Sequence, residues 1–277
     1  MILEKIQHEL DNLSSAQRRI AQYILEHCAE VVLMTALQLG ENAGASEATV
    51  IRLANALGYQ GYPELKAALG EVMQDRLSAA ERLKSHLEGP STGNLVENVL
   101  RQDLDKGMEA LTSLDDLSMR KAARALCEAP AVYVMAMRSA RALSIYLRAY
   151  LSWFRPLVQE LSVDSFIEPL ALAPQDSLIV GISFPRYTRE TVEHLRLAHK
   201  LGFRTLAITD SAESPLAEYA DITLTAPCSH MAFIDSLVLP MSLLNALILQ
   251  VAEDLGASAQ QKLVNLEKDW AAARTYC

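Results

Sequence analysis

Two short segments of this chain each combine a hydroxyl, an arginine and the start of a helix. Met135-Ala136-Met137-Arg138-Ser139 closes one apolar run of strand length, and Ile182-Ser183-Phe184-Pro185-Arg186-Tyr187-Thr188-Arg189-Glu190 closes another. Helical periodicity resumes at Ser139 in the first and near Thr188 in the second. A helix start is electropositive and its first N–H groups lack partners, so the chemistry on offer is anion binding. Arg138 and Arg186 add forked, charge-assisted donors. The candidate anion site is therefore Arg138, Ser139, Ser183, Arg186 and Thr188. Ser139 and Thr188 also suit plain helix N-caps, with the arginines solvated or paired with Asp210 and Glu190. The residues alone leave both readings open.

A second constellation lies near the N-terminus, in Met34 to Lys66. Leu37, Leu39 and Ala43 give one helix face, Gly44 breaks the run, and Ser46 stands where an N-cap belongs. From Glu47 a second helix carries Val50, Leu53, Ala54 and Leu57 inward and shows Glu47, Thr49, Arg52 and Asn55 outward, until Gly58 stops it. This is the layout of a helix-turn-helix, whose second helix enters a DNA major groove. Two short helices around a glycine turn also occur in many helical bundles. The expected DNA contacts are Ser46, Glu47, Thr49 and Arg52 on bases or phosphates and Lys66 on the backbone, with Arg18 and Arg19 completing a positive face.

Other chemistry is sparse. Cys28, Cys127, Cys228 and Cys277 are scattered without metal-ligand spacing, which suits free thiols in a reducing cytoplasm. No Ser-His-Asp order, His-x-x-x-His pair, Gly-x-x-x-x-Gly-Lys loop or Gly-x-Gly-x-x-Gly fingerprint is present. Glu168, His230 and Asp235 are the residues available for acid–base work. The expectation is no catalytic residue, no metal and no cofactor.

The elements that position these groups fall into two sets. At 277 residues, half of them apolar, the chain has room for two cores. Up to Leu87 the periodicity is helical: Ile2 to Leu13, Ser15 to Cys28, the pair above, then Tyr62 onward. Gly89-Pro90-Ser91-Thr92-Gly93 reads as a linker. Helical periodicity returns over 94–128, with Leu95, Val99, Leu104 and Met108 on one face. From Pro130, strand-length apolar runs (Ala131 to Met137, Leu157 to Glu160, Ser177 to Ser183, Arg204 to Thr209, Asp221 to Leu224) alternate with helices. That alternation predicts a doubly wound parallel sheet, with ligands outside the carboxyl ends of its strands. A long helix from about Phe233 reads as buried, and Leu263, Leu266 and Trp270 mark a last packing helix. No signal sequence or uninterrupted apolar span is evident, so no membrane partner is expected. The fold class expected is α/β overall: a helical helix-turn-helix domain over 1–88, a linker over 89–93, and a five-stranded parallel-sheet domain over 94–277.

Charge cuts against nucleic acid. The formal net charge is -9, and residues 1–80 hold six Lys/Arg against ten Asp/Glu. Phosphate neutralisation supplies much of DNA affinity, so modest, strongly salt-dependent binding is expected.

Three separated blocks nevertheless resemble one family. Leu13-Ser14-Ser15-Ala16-Gln17-Arg18-Arg19-Ile20-Ala21, Ala45-Ser46-Glu47-Ala48-Thr49-Val50-Ile51-Arg52-Leu53 and Leu57-Gly58-Tyr59-Gln60-Gly61-Tyr62-Pro63-Glu64-Leu65-Lys66 are similar to the DNA-binding domain of the RpiR/MurR family of bacterial regulators. In that family a sugar-isomerase-type (SIS) domain follows. Leu178-Ile179-Val180-Gly181-Ile182-Ser183, Gly202-Phe203-Arg204-Thr205-Leu206-Ala207-Ile208-Thr209-Asp210, Ser214-Pro215-Leu216-Ala217 and Ala220-Asp221-Ile222 resemble it, within roughly 95–255. The family's phosphosugar loops read Gly-x-Gly-x-Ser and Ser-x-Ser-Gly-x-Thr, which carries Ser139, Ser183 and Thr188 over as ligands. Met135 and Met137 replace glycines, and Pro185-Arg186 replaces Ser-Gly. The methionines are expected to close space near the anion, with Arg138 and Arg186 restoring positive charge.

The resemblance implies a transcriptional regulator, a homodimer or homotetramer on double-stranded operator DNA, sensing a small anionic metabolite such as a sugar phosphate. Two alternatives from other classes stand beside it. One is a phosphosugar isomerase with an accessory helical domain; the other is an oligomerisation module that binds no DNA.

Overall fold

In the computed structural model, which describes residues 2–76, 78–88, 93–113, 115–162 and 165–276, the N-terminal part is all helix. It runs α1 (Ile2–Glu9), α2 (Ser15–Glu26), α3 (Cys28–Val31), α4 (Ala36–Asn42), α5 (Glu47–Ala56), α6 (Tyr62–Arg76) and α7 (Ala79–Glu88). The chain divides into two compact units on either side of residue 90. The expected linker lies outside the described residues apart from Gly93.

Capping boxes fix where the helices of the first unit begin. Ser14 accepts from the Gln17 N–H while Gln17 accepts from the Ser14 N–H, and Thr35 with Gln38 repeats the device. The same exchange between Ser78 and Glu81 starts α7, so the single helix expected from Tyr62 to Leu87 is two. Ile6, Ile20, Ile24, Leu39, Val50, Leu53, Leu65 and Leu69 are fully buried in one cluster. Each such side chain contributes roughly 1.5–3 kcal/mol of transfer free energy. The inward rhythm of α5 is the one expected. That of α4 is not: Leu39 and Ala43 are buried, but Leu37 is 52% exposed. Three residues after Ala36 the helix must turn Leu39 and Gly40 to α5, which carries Leu37 to the opposite side.

The second unit runs α8 (Leu95–Ala110), α9 (Asp116–Glu128), β1 (Val132–Ala136), α10 (Arg141–Leu151), β2 (Val158–Glu160), α11 (Ile167–Ala171), β3 (Leu178–Ile182), α12 (Arg189–Lys200), β4 (Arg204–Thr209), β5 (Ile222–Thr225), β6 (His230–Met231), β7 (Ile234–Asp235), α13 (Val238–Leu255) and α14 (Ala257–Ala273). Five strands form one all-parallel sheet in the order β2-β1-β3-β4-β5. Strand period then divides the core in two. Val132, Val134 and Ala136 join Leu143, Leu147, Leu244 and Leu247 on one face; Tyr133 and Met135 join Phe166, Leu170 and Leu195 on the other.

The expected doubly wound sheet is present, and several boundaries differ. After β1 the chain makes a tight 3-10 turn over Arg138–Ala140, so α10 starts at Arg141 rather than Ser139. Residues 230–235 form an antiparallel hairpin in which His230 faces Asp235, which delays the last long helix to Val238. By length and apolarity α13 would suit a membrane span, but Leu244, Leu247, Ile248 and Val251 pack into the sheet core. Of the face read on α8 as Leu95, Val99, Leu104 and Met108, Leu95, Leu104 and Met108 are exposed.

One histidine in this unit is held in apolar surroundings. His194 stacks on Phe166 at 4.1 Å and 7°, its Nδ1 is buried without a hydrogen bond, and burial holds its pKa below the ordinary 6.5 against the pull of Glu190 and Glu193. As pH falls through 6.5 the unfolded chain takes up this proton before the folded one does, so stability declines from there downward. Replacing His194 by Phe should flatten that acid limb in pH-dependent urea unfolding; an unchanged limb would show another group causes it.

Glycine 40 sets a second test. A Cβ there would lie 3.0 Å from the Ala45 carbonyl oxygen, 3.1 Å from the Ser46 carbonyl carbon and 3.2 Å from the Glu47 nitrogen, all backbone. Gly40→Ala should destabilise the first unit by about 1–3 kcal/mol. Gly70→Ala in α6, where the nearest neighbour is Val32 at 3.8 Å, should stabilise it by about 0.5–1 kcal/mol. Urea unfolding of both variants checks the contrast.

Candidate functional site

The helix-turn-helix is built around a turn that a left-handed glycine and two hydrogen bonds hold. Gly44 takes φ +64, the Ala45 N–H donates to the Gly40 carbonyl at 2.8 Å, and Arg19 Nη2 donates to the Gly44 carbonyl at 2.7 Å. Ser46 caps α5, accepting from the Thr49 N–H at 3.3 Å. The Ser46 and Thr49 hydroxyls share a hydrogen bond of 2.9 Å, and Arg52 Nη2 donates to Thr49 Oγ1 at 3.0 Å. Cap, threonine and guanidinium therefore form one relay along the first turns of α5.

That relay corrects the role expected of Thr49. It is only 6% exposed, on a helix that packs against α4, and its hydroxyl lies between that of Ser46 and the Arg52 guanidinium. It positions the arginine rather than presenting itself. Ser46, Glu47, Arg52 and Asn55 do face outward, joined by Ala48 and by Ile51 at 41% exposure. Ile51 was missed by the inward–outward reading, although it falls outside the inward rhythm of 50, 53, 54 and 57.

The other expected cations are already engaged with backbone carbonyls. Lys66 Nζ donates to the Met34 carbonyl at 2.8 Å and is half-buried, tying α6 to the segment after α3. Arg18 donates through Nε to the Leu10 carbonyl at 2.8 Å and through Nη2 to that of Asp11 at 3.1 Å. These residues keep their charge, but their geometry is set by the fold.

The second constellation sits where sheet topology directs. The chain leaves β1 for β2 on one side and returns to β3 on the other, so the order reverses between β1 and β3. Outside the carboxyl ends of two such strands a crevice opens, because their connections run to opposite faces. The loops there hold Arg138, Ser139, Ser183, Arg186 and Thr188.

Their hydrogen bonding separates the hydroxyls. Ser183 is buried and its Oγ accepts from the Thr188 N–H at 3.2 Å, closing the loop onto the start of α12. Thr188 occupies the N-cap position, yet its side chain makes no cap bond. Ser139 lies inside the 3-10 turn and caps nothing. Among the described residues neither the Ser139 nor the Thr188 hydroxyl has a hydrogen-bond partner. The plain N-cap alternative therefore fails at both positions. Asp210 is not an arginine partner either: its Oδ1 accepts from the Tyr187 hydroxyl at 2.8 Å and from the Thr209 hydroxyl at 3.1 Å.

Arg138 and Arg186 are exposed, and both adopt the left-handed backbone, with φ +53 and +64. A residue with a Cβ loses about 1 kcal/mol there relative to its ordinary conformation. Pro185 precedes the second, in the place of a hydroxyl residue. Met135, by contrast, corrects an expectation. It does not close the anion's space, because strand alternation turns its side chain into the core beside Tyr133. Only Met137, half-buried, remains at the loop.

The acid–base candidates are divided. His230 Nδ1 and Asp235 Oδ1 are 2.9 Å apart across the β6–β7 hairpin, with Ala232 at φ +52 in its turn. Glu168 is exposed on α11. Among the described residues no group of three or more His, Cys, Asp or Glu is arranged to hold a metal ion.

Comparison with known proteins follows the two units. Residues 1–76 match the family model for the helix-turn-helix domain of the rpiR family, and residues 125–250 match that of the SIS domain. The chain is 29% identical over 231 residues to the HTH-type transcriptional regulator HexR of Pseudomonas aeruginosa, covering 82% of this chain and 79% of the relative. Among solved structures it is similar to the sugar isomerase domain of an RpiR transcription factor from Sphaerobacter thermophilus, with TM-score 0.60 and 27% identity over 64% of this chain and 99% of that one. It shares its fold with the Vibrio vulnificus NanR protein complexed with ManNAc-6P, with TM-score 0.61 and 18% identity over 99% of both chains.

Two substitutions separate strain from hydrogen bonding at the loops. Arg186→Gly should raise the unfolding free energy by about 0.5–1 kcal/mol by relieving the left-handed backbone. Thr188→Val should change it by less than about 0.5 kcal/mol, because no internal bond is lost. A clear loss in either variant, read by urea unfolding, would mean that the side chain serves the fold.

Proposed function

For a chain that belongs to the RpiR family of helix-turn-helix regulators and carries a SIS domain, we propose a metabolite-controlled reader of operator DNA. Residues 1–88 form the reader, and 94–277 form the effector-binding and oligomerisation unit. The reading places the protein in the cytoplasm with its DNA. One observation carries it: the Ser139 and Thr188 hydroxyls stand without partners at the switch point of the sheet, in a chain whose other unit presents a capped, outward-facing helix. The solved NanR protein, whose fold this chain shares, is complexed with ManNAc-6P. A sugar phosphate is the effector class this supports, with its phosphate at Ser139, Ser183, Thr188 and the start of α12.

In the reader, α5 enters the major groove N-terminus first. Arg52, aimed by Thr49, meets a base or phosphate, Glu47 accepts from a cytosine amino group, and Ile51 offers an apolar contact for a thymine methyl. Homodimers suit this work, because two-fold related half-sites need two readers. The exposed apolar row Val96, Leu100, Leu104 and Met108 on α8 supports self-association. The effector acts by binding one dimer geometry better than another, which typically changes DNA affinity by about 5–150-fold.

Sensing rather than turnover is supported by the divided acid–base residues. His230 and Asp235 hold each other in the hairpin, and Glu168 is exposed on a different element. Conversion of fructose 6-phosphate or glucose 6-phosphate by purified protein, lost in His230→Ala, would favour the isomerase alternative.

The direct test is selection of duplexes from a random pool, followed by fluorescence anisotropy. Arg52→Ala should weaken the selected duplex by about 5–150-fold, the value of a good base contact. Thr49→Val should weaken it less, and each phosphate contact should add about -0.9 to the slope of log affinity against log salt. Failure to enrich any duplex, or equal binding by Arg52→Ala, would overturn the reading.

A further inference from the structure

Helix α8 is apolar on a side that the described residues leave exposed. Val96, Leu100, Leu104 and Met108 recur every four residues, with Leu95 and Leu111 at the ends, and all six are 57–67% exposed. The helix is seated by a different row. It packs on α13, where Leu239 Cδ2 comes within 3.4 Å of the place that a Cβ on Gly107 would take. Gly107 lies on the row beside Leu104 and Met108, so docking on α13 leaves the leucine row to one side.

The size of that row argues for a protein partner. Full burial of an aliphatic side chain removes roughly 60–120 Å² of apolar surface from water, so six residues at about three-fifths exposure present on the order of 200–450 Å². A standard interface buries about 800 Å² per partner, of which about 450 Å² is apolar. One helix therefore supplies half or more of what a stable pair needs, in a single continuous strip.

Spacing and charge point to which partner. A row at every fourth residue is a ridge, and the groove beside it is set by the same spacing. Two such ridges interdigitate when their helices cross at about −50°. An identical helix brings both the ridge and the matching groove, and a two-fold axis then makes the contact self-complementary. The flanking row, Glu97, Arg101 and Asp105, mixes both signs, and Arg101 is already paired with Glu97 at 2.7 Å. Such a rim selects neither a basic nor an acidic partner.

We propose that α8 is the contact between two copies of this chain, crossing near Leu100 and Leu104 about a two-fold axis with each ridge in the other's groove. This rests on the self-association in the proposed function and assigns the face that carries it. Because α8 is the first helix of the second unit, the pair joins two readers where their chains enter that unit.

Sedimentation of the full chain tests the assignment without DNA or effector, so it stands or falls separately from operator reading. Wild type should be a dimer or larger. Leu100→Glu and Leu104→Glu, at exposed positions, should keep the urea unfolding midpoint of the dissociated chain and raise the dissociation constant about tenfold or more, or reduce a tetramer to a dimer. Leu172→Glu, an exposed leucine outside the row, should leave the assembly unchanged. The crossing is tested by oxidation beside wild type: Leu100→Cys or Leu104→Cys should give a cross-linked dimer. Val96→Cys should not, because it lies about 12 Å along the helix from Leu104 and its mate lies as far the other way. A monomeric wild type at the highest concentration that stays in solution would overturn the proposal, as would an assembly that both glutamate variants leave intact. Cross-linking through Val96→Cys alone would overturn the crossing.

Discussion

A parallel sheet covered on both faces buries the side chains of its central strands, so its chemistry must sit beyond the strand ends. Here Val132, Val134 and Ala136 are committed to one layer and Tyr133 and Met135 to the other. The polar groups that remain available lie where β1 and β3 end and their connections part to opposite faces. The two arginine loops, the closure of Ser183 onto Thr188 and the hydroxyls without partners all follow from that one reversal of strand order. A sheet with consecutive order would have no such crevice.

Much of this architecture was legible because buried parallel strands read as continuous apolar runs. Leu178 to Ile182 and Arg204 to Thr209 needed no tertiary knowledge. What escaped was set by geometry that leaves no period. The β6–β7 hairpin has strands of two residues each, too short to alternate visibly. Met135 looked like a plug because a glycine position had been filled, and only the direction of strand alternation shows it facing the core. Gly40 gave no local signal at all: its need comes from the backbone of residues 45–47 lying against it. At the anion loops the residues were legible one by one. Which hydroxyls were already spent was not, since Ser183 and Thr188 resolve their roles only when the loop closes.

The reader unit carries a related lesson about charge. Counting lysines and arginines in an acidic unit understates how its cations are used. Arg18, Arg19 and Lys66 are drawn to the open carbonyls of turns and helix ends, which need donors. They hold the helix-turn-helix in shape. Arg52 is a cation that α5 leaves outward, and it is held there by a threonine that is itself out of sight. On the proposed reading, affinity comes from placement more than from net charge, and the salt slope counts the phosphates that are neutralised.

The central claim is that the two units are coupled, and linkage gives it a strict form. Operator affinity should be measured with and without a saturating phosphorylated ligand, and ligand affinity with and without saturating operator, both on the full chain. If the sheet loops and α5 bias one equilibrium, the two ratios must be equal and differ from one. Ratios of one in both directions, with each partner binding alone, would contradict the account and leave a reader and a binding site that merely share a chain.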